Sequence, residues 1–177
     1  VQPHYGRDWT SFYNQTIHFL KRIFITNGNV YIMVGSGSAG IDACLGSAFS
    51  KGEKIIVGVN GFFGNRLVEI AESHEINVVQ IDFAWDKPIC PVVIEEIIEK
   101  NPDTKGIAVV HLETSTGVVN PVEQIGRVCK EHNIIFFVDA VSSLGGVPFS
   151  MDDFHIDLCA SASQKCLGAP PGLSLVA

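Results

Sequence analysis

The stretch Val30–Gly40, VYIMVGSGSAG, places five consecutive apolar residues directly before a run rich in glycine and serine. A short apolar run bounded by turn residues is typical of a buried strand, and the residues after it predict a helix over Ser38–Phe49. The turn fits the pattern G-x-G-x-x-G, whose small residues let backbone N–H groups and a helix N terminus approach a phosphate. This unit therefore predicts an α/β fold with an anion site after its first strand.

The same alternation of helix and strand continues on both sides of that unit. The predicted helices are Trp9–Phe24, Phe63–Ser73, Pro91–Glu99 and Pro121–Glu131. The predicted strands are Ile55–Val59, Ile76–Ile81, Ile107–Leu112, Ile134–Val138, Ile156–Ala160 and Leu173–Val176. Apolar strands joined by helical crossovers predict a mostly parallel sheet flanked by helices. Ligands bind such sheets outside the carboxyl ends of the strands, so the loops there form the candidate site.

Composition and charge exclude several classes of protein. Among 177 residues, 46% are hydrophobic and 18% charged, which excludes intrinsic disorder. The net charge of −7 argues against a nucleic-acid or anionic-membrane partner, and no apolar run approaches the ~20 residues that span a bilayer. Five cysteines without a C-x-x-C pair favour free thiols in a reducing compartment. We therefore expect a cytoplasmic protein without a metal site.

The loop after the strand Ile55–Val59 bears on two kinds of ligand. A dinucleotide site would place an acidic residue there to hold the ribose, but Asn60 follows the strand. Dinucleotide binding is therefore disfavoured, while phosphate binding stays a prediction and a tight turn without a ligand is the alternative. Phe62 and Phe63 could present a ring to a flat ligand or simply pack in the core.

Two later loops carry polar groups at predicted strand ends. Residues 111–117, HLETSTG, contain five hydrogen-bonding side chains, more than capping or turn formation readily explains. Asp139 directly follows an apolar strand, so its carboxyl group needs a strong partner or becomes protonated. That partner could be a metal, an arginine, a cationic ring nitrogen or the other half of a structural salt bridge. The chain lacks the P-loop pattern that would support a metal.

Lys165 lies in SASQKCLGAPPG, residues 161–172, after the next predicted strand. A solvated surface charge is the default interpretation of any lysine, but a lysine held among small residues can serve as an amine nucleophile. Together, these loops would surround a flat, phosphorylated ring with a cationic nitrogen and a carbonyl group open to an amine. Pyridoxal phosphate (PLP) has these features.

Three segments resemble the class V aminotransferases of PLP fold type I, and within them the alanine–glyoxylate and serine–glyoxylate group. They are HLETSTG at 111–117, VDAVSSLGG at 138–146, and SASQK at 161–165 with PPG at 170–172. The resemblance runs from Gly35 to Ala177 and more loosely through the first helix. Cysteine desulfurases and aminoethylphosphonate transaminases, which are related, carry different sequences around the lysine.

The resemblance implies the large domain of the PLP-dependent transferase fold type I. An N-terminal helix region would occupy residues 1–29, and an incomplete cofactor-binding large domain residues 30–177. The C-terminal small domain would be absent from the chain, and the arginine that grips the substrate carboxylate would lie beyond Ala177. Address signals at a true C terminus would lie outside the sequence as well.

The same resemblance implies the residues that contact the cofactor ring. Lys165 would be the Schiff-base lysine and Asp139 would hold the protonated pyridine nitrogen, so these two would be the catalytic residues. Val141 would pack on one face of the ring and Phe63 would stack on the other. Family members often carry tryptophan at the position of Phe63.

Further residues would hold the cofactor by its polar groups. Thr114 would hydrogen-bond the hydroxyl side of the ring. Family members often carry threonine or histidine where this chain has Ser38. The residues that would hold the phosphate are Ser36, Gly37, Ser38 and Gln164.

The resemblance therefore implies a PLP-dependent transaminase. It would move an amino group from a small amino acid such as alanine or serine to a 2-oxo acid such as glyoxylate or pyruvate, and it would act as a homodimer. Three alternatives stay open: another fold type I PLP enzyme such as a lyase or a cysteine desulfurase, a PLP-binding fragment without full activity, and a structural or interaction domain.

Overall fold

The computed structural model describes residues 3–177, so the first two residues of the predicted N-terminal region 1–29 lie outside the described residues. The helices are α1 Gly6–Phe24, α2 Gly37–Ala48, α3 Phe62–Ser73, α4 Pro91–Lys100 and α5 Val122–Glu131. The strands are β1 Tyr31–Val34, β2 Lys54–Val59, β3 Asn77–Asp82, β4 Thr104–Val110, β5 Leu112–Glu113, β6 Val118–Val119, β7 Ile135–Asp139, β8 Leu158–Ala162 and β9 Leu173–Val176. Each predicted helix and strand is present, with ends shifted by a few residues.

The main sheet has the strand order β1-β9-β8-β7-β4-β2-β3. The pairs β8–β7, β7–β4, β4–β2 and β2–β3 are parallel. Strand β9 runs antiparallel to both of its neighbours, β1 and β8. The predicted α/β fold with a mostly parallel sheet is therefore confirmed, and β9 is its one antiparallel strand within residues 3–177.

Helices cover both faces of the sheet, which explains why its strands lack polar alternation. Successive residues of one strand point to opposite faces, and in β2 the side chain of Ile56 joins one core while Ile55 and Val57 join the other. Helices α1, α4 and α5 pack on the first face, and α2 and α3 on the second. Both faces are apolar because both are buried.

A two-stranded ribbon of β5 and β6 stands apart from the main sheet, and it was not predicted. Leu112 pairs with Val119 and Glu113 with Val118. Two residues per strand are too few to show an alternating pattern in a sequence. The ribbon carries the polar loop 111–117 away from the end of β4 and towards the start of α3.

No helix in the described part of the chain is both long and apolar enough to cross a membrane.

Candidate active site

One cavity of about 180 Å³ opens at the carboxyl ends of the parallel strands. Its walls come from the first turns of α2 and α3, the ends of β4 and β7, and the loop between β8 and β9. All nine residues predicted for the site line it: Ser36, Gly37, Ser38, Phe63, Thr114, Asp139, Val141, Gln164 and Lys165. Four further residues, Ile41, Val110, Leu112 and Ser142, complete the lining.

A second, larger depression of about 640 Å³ lies at the opposite edge of the sheet. Its lining includes Ile135 at the start of β7 and Asp157 just before β8. None of the residues predicted for the site lines it. Since ligands of such sheets bind at the carboxyl ends of the strands, the smaller cavity is the candidate site.

The N terminus of α2 forms one wall of the cavity, and its backbone geometry suits an anion. The first hydrogen bond of this turn runs from the Ala39 N–H to the Ser36 carbonyl at 2.9 Å, so the N–H groups of Gly37 and Ser38 precede it. Such free N–H groups and the positive end of the helix dipole favour a phosphate. A Cβ on Gly37 would lie 2.6 Å from Cγ2 of Val141, so only glycine lets α2 begin so close to that residue.

Asp139 supplies a buried carboxylate at the end of β7. It is 4% exposed, and one of its oxygens accepts a hydrogen bond from the Val141 N–H at 2.9 Å. Burial raises the pKa of Asp139 to about 6; the Val141 N–H and the positive charge of Lys165 lower this pKa, and the negative charge of Glu113 raises it. The carboxylate is therefore already shielded from water in the folded protein, and a cationic ligand placed beside it would stabilise its charged form.

No salt bridge within residues 3–177 accounts for that carboxylate. The same residues contain no group of three or more metal-ligating side chains that could hold an ion. The structural salt bridge that the sequence left open is therefore not formed. The Asp139 carboxylate accepts its hydrogen bond from the Val141 N–H, so it stays available to a cationic ligand in the cavity.

Lys165 lies on the loop between β8 and β9, and its position differs in one respect from expectation. Both Lys165 and the preceding Gln164 are exposed, so the small residues nearby do not enclose the amine. Ser163 Oγ donates to the Pro170 carbonyl at 2.7 Å, which closes the loop on itself. The Gly35 N–H donates to the Gly172 carbonyl at 2.9 Å and ties the loop to the glycine-rich turn after β1.

The polar loop 111–117 uses its side chains for several separate purposes. Thr114 lines the cavity, and its Oγ1 donates to Ser142 Oγ at 2.6 Å. Glu113 and Ser115 bond to each other and to the first turn of α3. Burial lowers the pKa of His111 to about 4. Capping therefore explains more of this loop than the sequence suggested, and Glu113 and Ser142 are neighbours of the site that sequence reasoning missed.

Asn60 stands where a dinucleotide site would need an acidic residue, and its side chain is used in other hydrogen bonds. It is 1% exposed and its amide bonds Asn120 and the Lys87 carbonyl. It therefore offers neither a charge nor a free acceptor to a ribose, which supports the argument against a dinucleotide.

Residues 3–177 match the family described as "Aminotransferase class-V". The chain belongs to the class V aminotransferase family. An uncharacterised aminotransferase of Methanocaldococcus jannaschii is 39% identical over 99% of this chain and 46% of its own length. A 2-aminoethylphosphonate–pyruvate transaminase of Lysinibacillus sphaericus is 38% identical over 82% of this chain and 40% of its own length.

Among solved structures, the alanine–glyoxylate aminotransferase of Nostoc sp. superposes with a TM-score of 0.95 at 33% identity. The match covers 99% of this chain and 47% of that protein. The chain thus spans less than half the length of these three proteins. The resemblance to the alanine–glyoxylate group is confirmed, but aminoethylphosphonate transaminases, which the sequence set apart, are also similar to the chain.

Proposed function

We propose that the protein is a PLP-dependent aminotransferase whose cofactor occupies the cavity between α2, α3 and the loop that carries Lys165. The observation that supports this most strongly is a buried carboxylate, Asp139, that has no ionic partner within residues 3–177 and lies in the same cavity as an exposed amine, Lys165. The N terminus of α2 adds an anion site to that cavity. A ring with a cationic nitrogen, a phosphate and an aldehyde satisfies all three features.

Each residue of the cavity would contact a different part of the cofactor. Asp139 would hold the ring nitrogen, while Phe63 and Val141 would cover the two faces of the ring. Thr114, bonded to Ser142, would meet the hydroxyl side of the ring. The residues that would hold the phosphate are Ser36, Gly37, Ser38 and Gln164.

PLP supplies an electron sink for a substrate carbon next to an amino group. Lys165 Nζ would bind the cofactor aldehyde at rest and, once displaced by the substrate amine, would take a proton from the substrate α-carbon and return it to the cofactor. Asp139 would keep the ring nitrogen protonated, which strengthens the electron sink. Phe63 and Val141 would fix the plane of the ring and exclude water from its faces.

We further propose a small amino acid as the donor and a 2-oxo acid as the acceptor. Alanine or serine with glyoxylate or pyruvate fits the activities of similar proteins, which include an alanine–glyoxylate aminotransferase and a 2-aminoethylphosphonate–pyruvate transaminase. The cysteines are free and the net charge is −7, which supports a cytoplasmic location without a nucleic-acid partner. In this proposal, residues 30–177 form the cofactor-binding domain and residues 1–29 a helix region before it.

We propose a second copy of this chain as the protein partner. The large apolar side chains of Phe12 and Phe19 on α1 are 54% and 50% exposed, and Val34, two residues before the cavity residue Ser36, is 91% exposed. Exposed apolar side chains of this size are typical of a subunit interface. A homodimer would cover it.

The test is covalent capture of the cofactor. The protein is incubated with PLP, its visible spectrum is recorded, and borohydride reduction is followed by peptide mass spectrometry. We expect a bound-cofactor absorbance band and one PLP adduct on the peptide that contains Lys165. Lys165→Ala should lose both, and Lys130→Ala on the surface of α5 should keep both.

The substrates separate the alternatives. Transamination predicts pyruvate and glycine from alanine and glyoxylate, whereas a cysteine desulfurase would release sulfur from cysteine and a bare binding domain would do neither. Absence of the absorbance band, or an adduct on another lysine, would contradict the proposal.

A further inference from the structure

Glu113 is a buried carboxylate that none of the proposed cofactor contacts uses. It is 0% exposed, and both of its oxygens are hydrogen-bonded. Oε2 accepts from the Gly64 N–H at 3.0 Å. Oε1 accepts from the Ser115 N–H at 3.0 Å and from the Ser115 hydroxyl at 2.6 Å. Burying an ionised carboxylate is costly without such partners, so its bonds reflect a specific placement.

Gly64, one of the two hydrogen-bond partners of the Glu113 side chain, lies in the first turn of α3, and the other, Ser115, in turn bonds Phe62, the first residue of that helix. No side chain at its own N-cap, Gly61, caps this helix, and its first turn has no acidic residue. The Phe62 N–H donates to Ser115 Oγ at 2.9 Å, and the Gly64 N–H donates to Glu113. The loop 111–117 therefore caps α3 from outside the helix, with the negative charge that a helix N terminus favours.

Gly61 is the residue that makes this approach possible. A Cβ at this position would lie 2.3 Å from Cγ and 2.5 Å from Cδ of Glu113. Any other residue would push the carboxylate away from the start of α3.

These contacts bracket two residues of the cavity. Phe63 lies between Phe62 and Gly64, and Thr114 lies between Glu113 and Ser115. The four hydrogen bonds among the bracketing residues, here called the Glu113 clamp, therefore join the wall that carries Phe63 to the wall that carries Thr114.

We propose that Glu113 is a positioning residue of the cofactor site, which holds Phe63 and Thr114 at a fixed separation across the ring by capping α3 from the loop 111–117. The inference rests on the proposed function for its cofactor. The clamp itself is a property of the protein without PLP. Glu113 also carries its negative charge close enough to raise the pKa of Asp139.

The test compares Glu113→Gln and Gly61→Ala with wild type. Glutamine has the shape of glutamate, but its amide offers one acceptor where the clamp needs two, so one N–H group meets another donor. Gly61→Ala displaces the carboxylate without changing its charge. The control is Glu69→Gln, an exposed carboxylate on α3 that pairs with Arg66.

Two measurements are made on each variant. The first is amide hydrogen exchange of the PLP-free protein at Phe62, Gly64 and Ser115. We expect faster exchange at these amides in both variants and wild-type exchange in the control, because the hydrogen bonds of the clamp protect all three amides from exchange. Unchanged exchange in Glu113→Gln would overturn the clamp whether or not PLP binds.

The second measurement is the dissociation constant and visible circular dichroism of bound PLP. We expect binding weakened by about tenfold, equivalent to about 1.4 kcal/mol, together with a weaker visible dichroic band per bound cofactor. Faster exchange with wild-type affinity and dichroism would mean that Glu113 only stabilises the fold, and would overturn its positioning role. Failure of the wild-type protein to bind PLP at Lys165 would instead contradict the proposed function, and the exchange result would still decide the clamp.

Discussion

The side chains of Asn60 and Asn120 exchange hydrogen bonds in both directions. Asn60 Nδ2 donates to Asn120 Oδ1 at 2.9 Å, and Asn120 Nδ2 donates to Asn60 Oδ1 at 3.1 Å. Asn120 also donates to the Val110 carbonyl and accepts from the Ile89 N–H. This buried amide pair joins the end of β2 to the residue that follows the β5–β6 ribbon, and so fixes where the polar loop 111–117 leaves the sheet.

Asn120→Asp should therefore destabilise the protein although it changes no shape. The carboxylate loses both N–H donors and faces two buried acceptors, at a cost of about 3 kcal/mol in the free energy of unfolding. Urea unfolding followed by far-ultraviolet circular dichroism measures the change. Asn14→Asp on the exposed side of α1 is the control. A shift within about 0.5 kcal/mol of wild type would show that the pair contributes little.

Asp139→Asn should stabilise the PLP-free protein at neutral pH. The folded-state pKa of Asp139 is raised by burial to about 6 from 3.8, so the folded protein binds the proton more tightly than the unfolded chain. At pH values above about 6, the charged form therefore destabilises the folded wild-type protein by about 3 kcal/mol. This penalty vanishes as the pH falls from about 6 to below 4. Urea titrations of variant and wild type at several pH values measure the difference. A stability difference that is the same at all pH values would contradict this prediction, and the exposed substitution Asp86→Asn is the control variant.

His111 should give the opposite pH dependence. Burial lowers its folded-state pKa from 6.5 to about 4, so the unfolded chain binds a proton that the folded protein does not. Stability is then lost as the pH falls from about 6.5 to 4, by about 3 kcal/mol in total. His111→Phe removes the titrating group but keeps a ring against Phe149, so the stability difference between wild type and this variant should change by this amount across the pH range, since Asp139 contributes equally to both proteins. Urea unfolding at several pH values measures the difference, with the exposed substitution His18→Gln on α1 as the control variant, and a difference between wild type and His111→Phe that is constant with pH would contradict the assignment.

Gly37→Ala should weaken PLP binding more than it weakens the fold. The Cβ of the new alanine would lie 2.6 Å from Val141, so either α2 or Val141 must move. Because both line the cavity, this movement changes the shape of the cavity. We expect an increase in the dissociation constant of PLP of about tenfold or more, measured by absorbance titration. Gly46→Ala is a matched change in the same helix, where the atom it meets belongs to the partly exposed His74 ring. Equal affinities of both variants would contradict the expectation.

Much of this fold was predictable because its strands are buried on both faces. Runs such as Ile134–Val138 are apolar throughout, and the helices between them show a helical period, so elements and order follow from local patterns. The direction of β9 was not predictable, since an apolar strand pairs equally well either way. The β5–β6 ribbon was too short to leave a pattern.

The candidate site, like the fold, could be predicted from the sequence only in part. Asp139, Lys165 and the glycine-rich turn were recognisable because each combines a reactive or small residue with a strand end. Glu113 was not, since its importance depends on the start of α3, about 50 residues away in sequence but within hydrogen-bond distance at Gly64. Exposure of Lys165 was missed because sequence shows which residues are neighbours but not which side of a loop faces solvent.

The placement of β9 between β1 and β8 also determines the order of assembly during synthesis. Among the strands of the described sheet, β1 is synthesised first, but its neighbour is β9, the latest of these strands in the sequence. The glycine-rich turn after β1 is likewise held by Gly172 on the final loop. The central parallel strands can therefore pair early, while the glycine-rich turn after β1 lacks its partners until β9 has been synthesised. Contacts so distant in sequence form slowly, so we expect this turn to be the last wall of the cavity to take its final position.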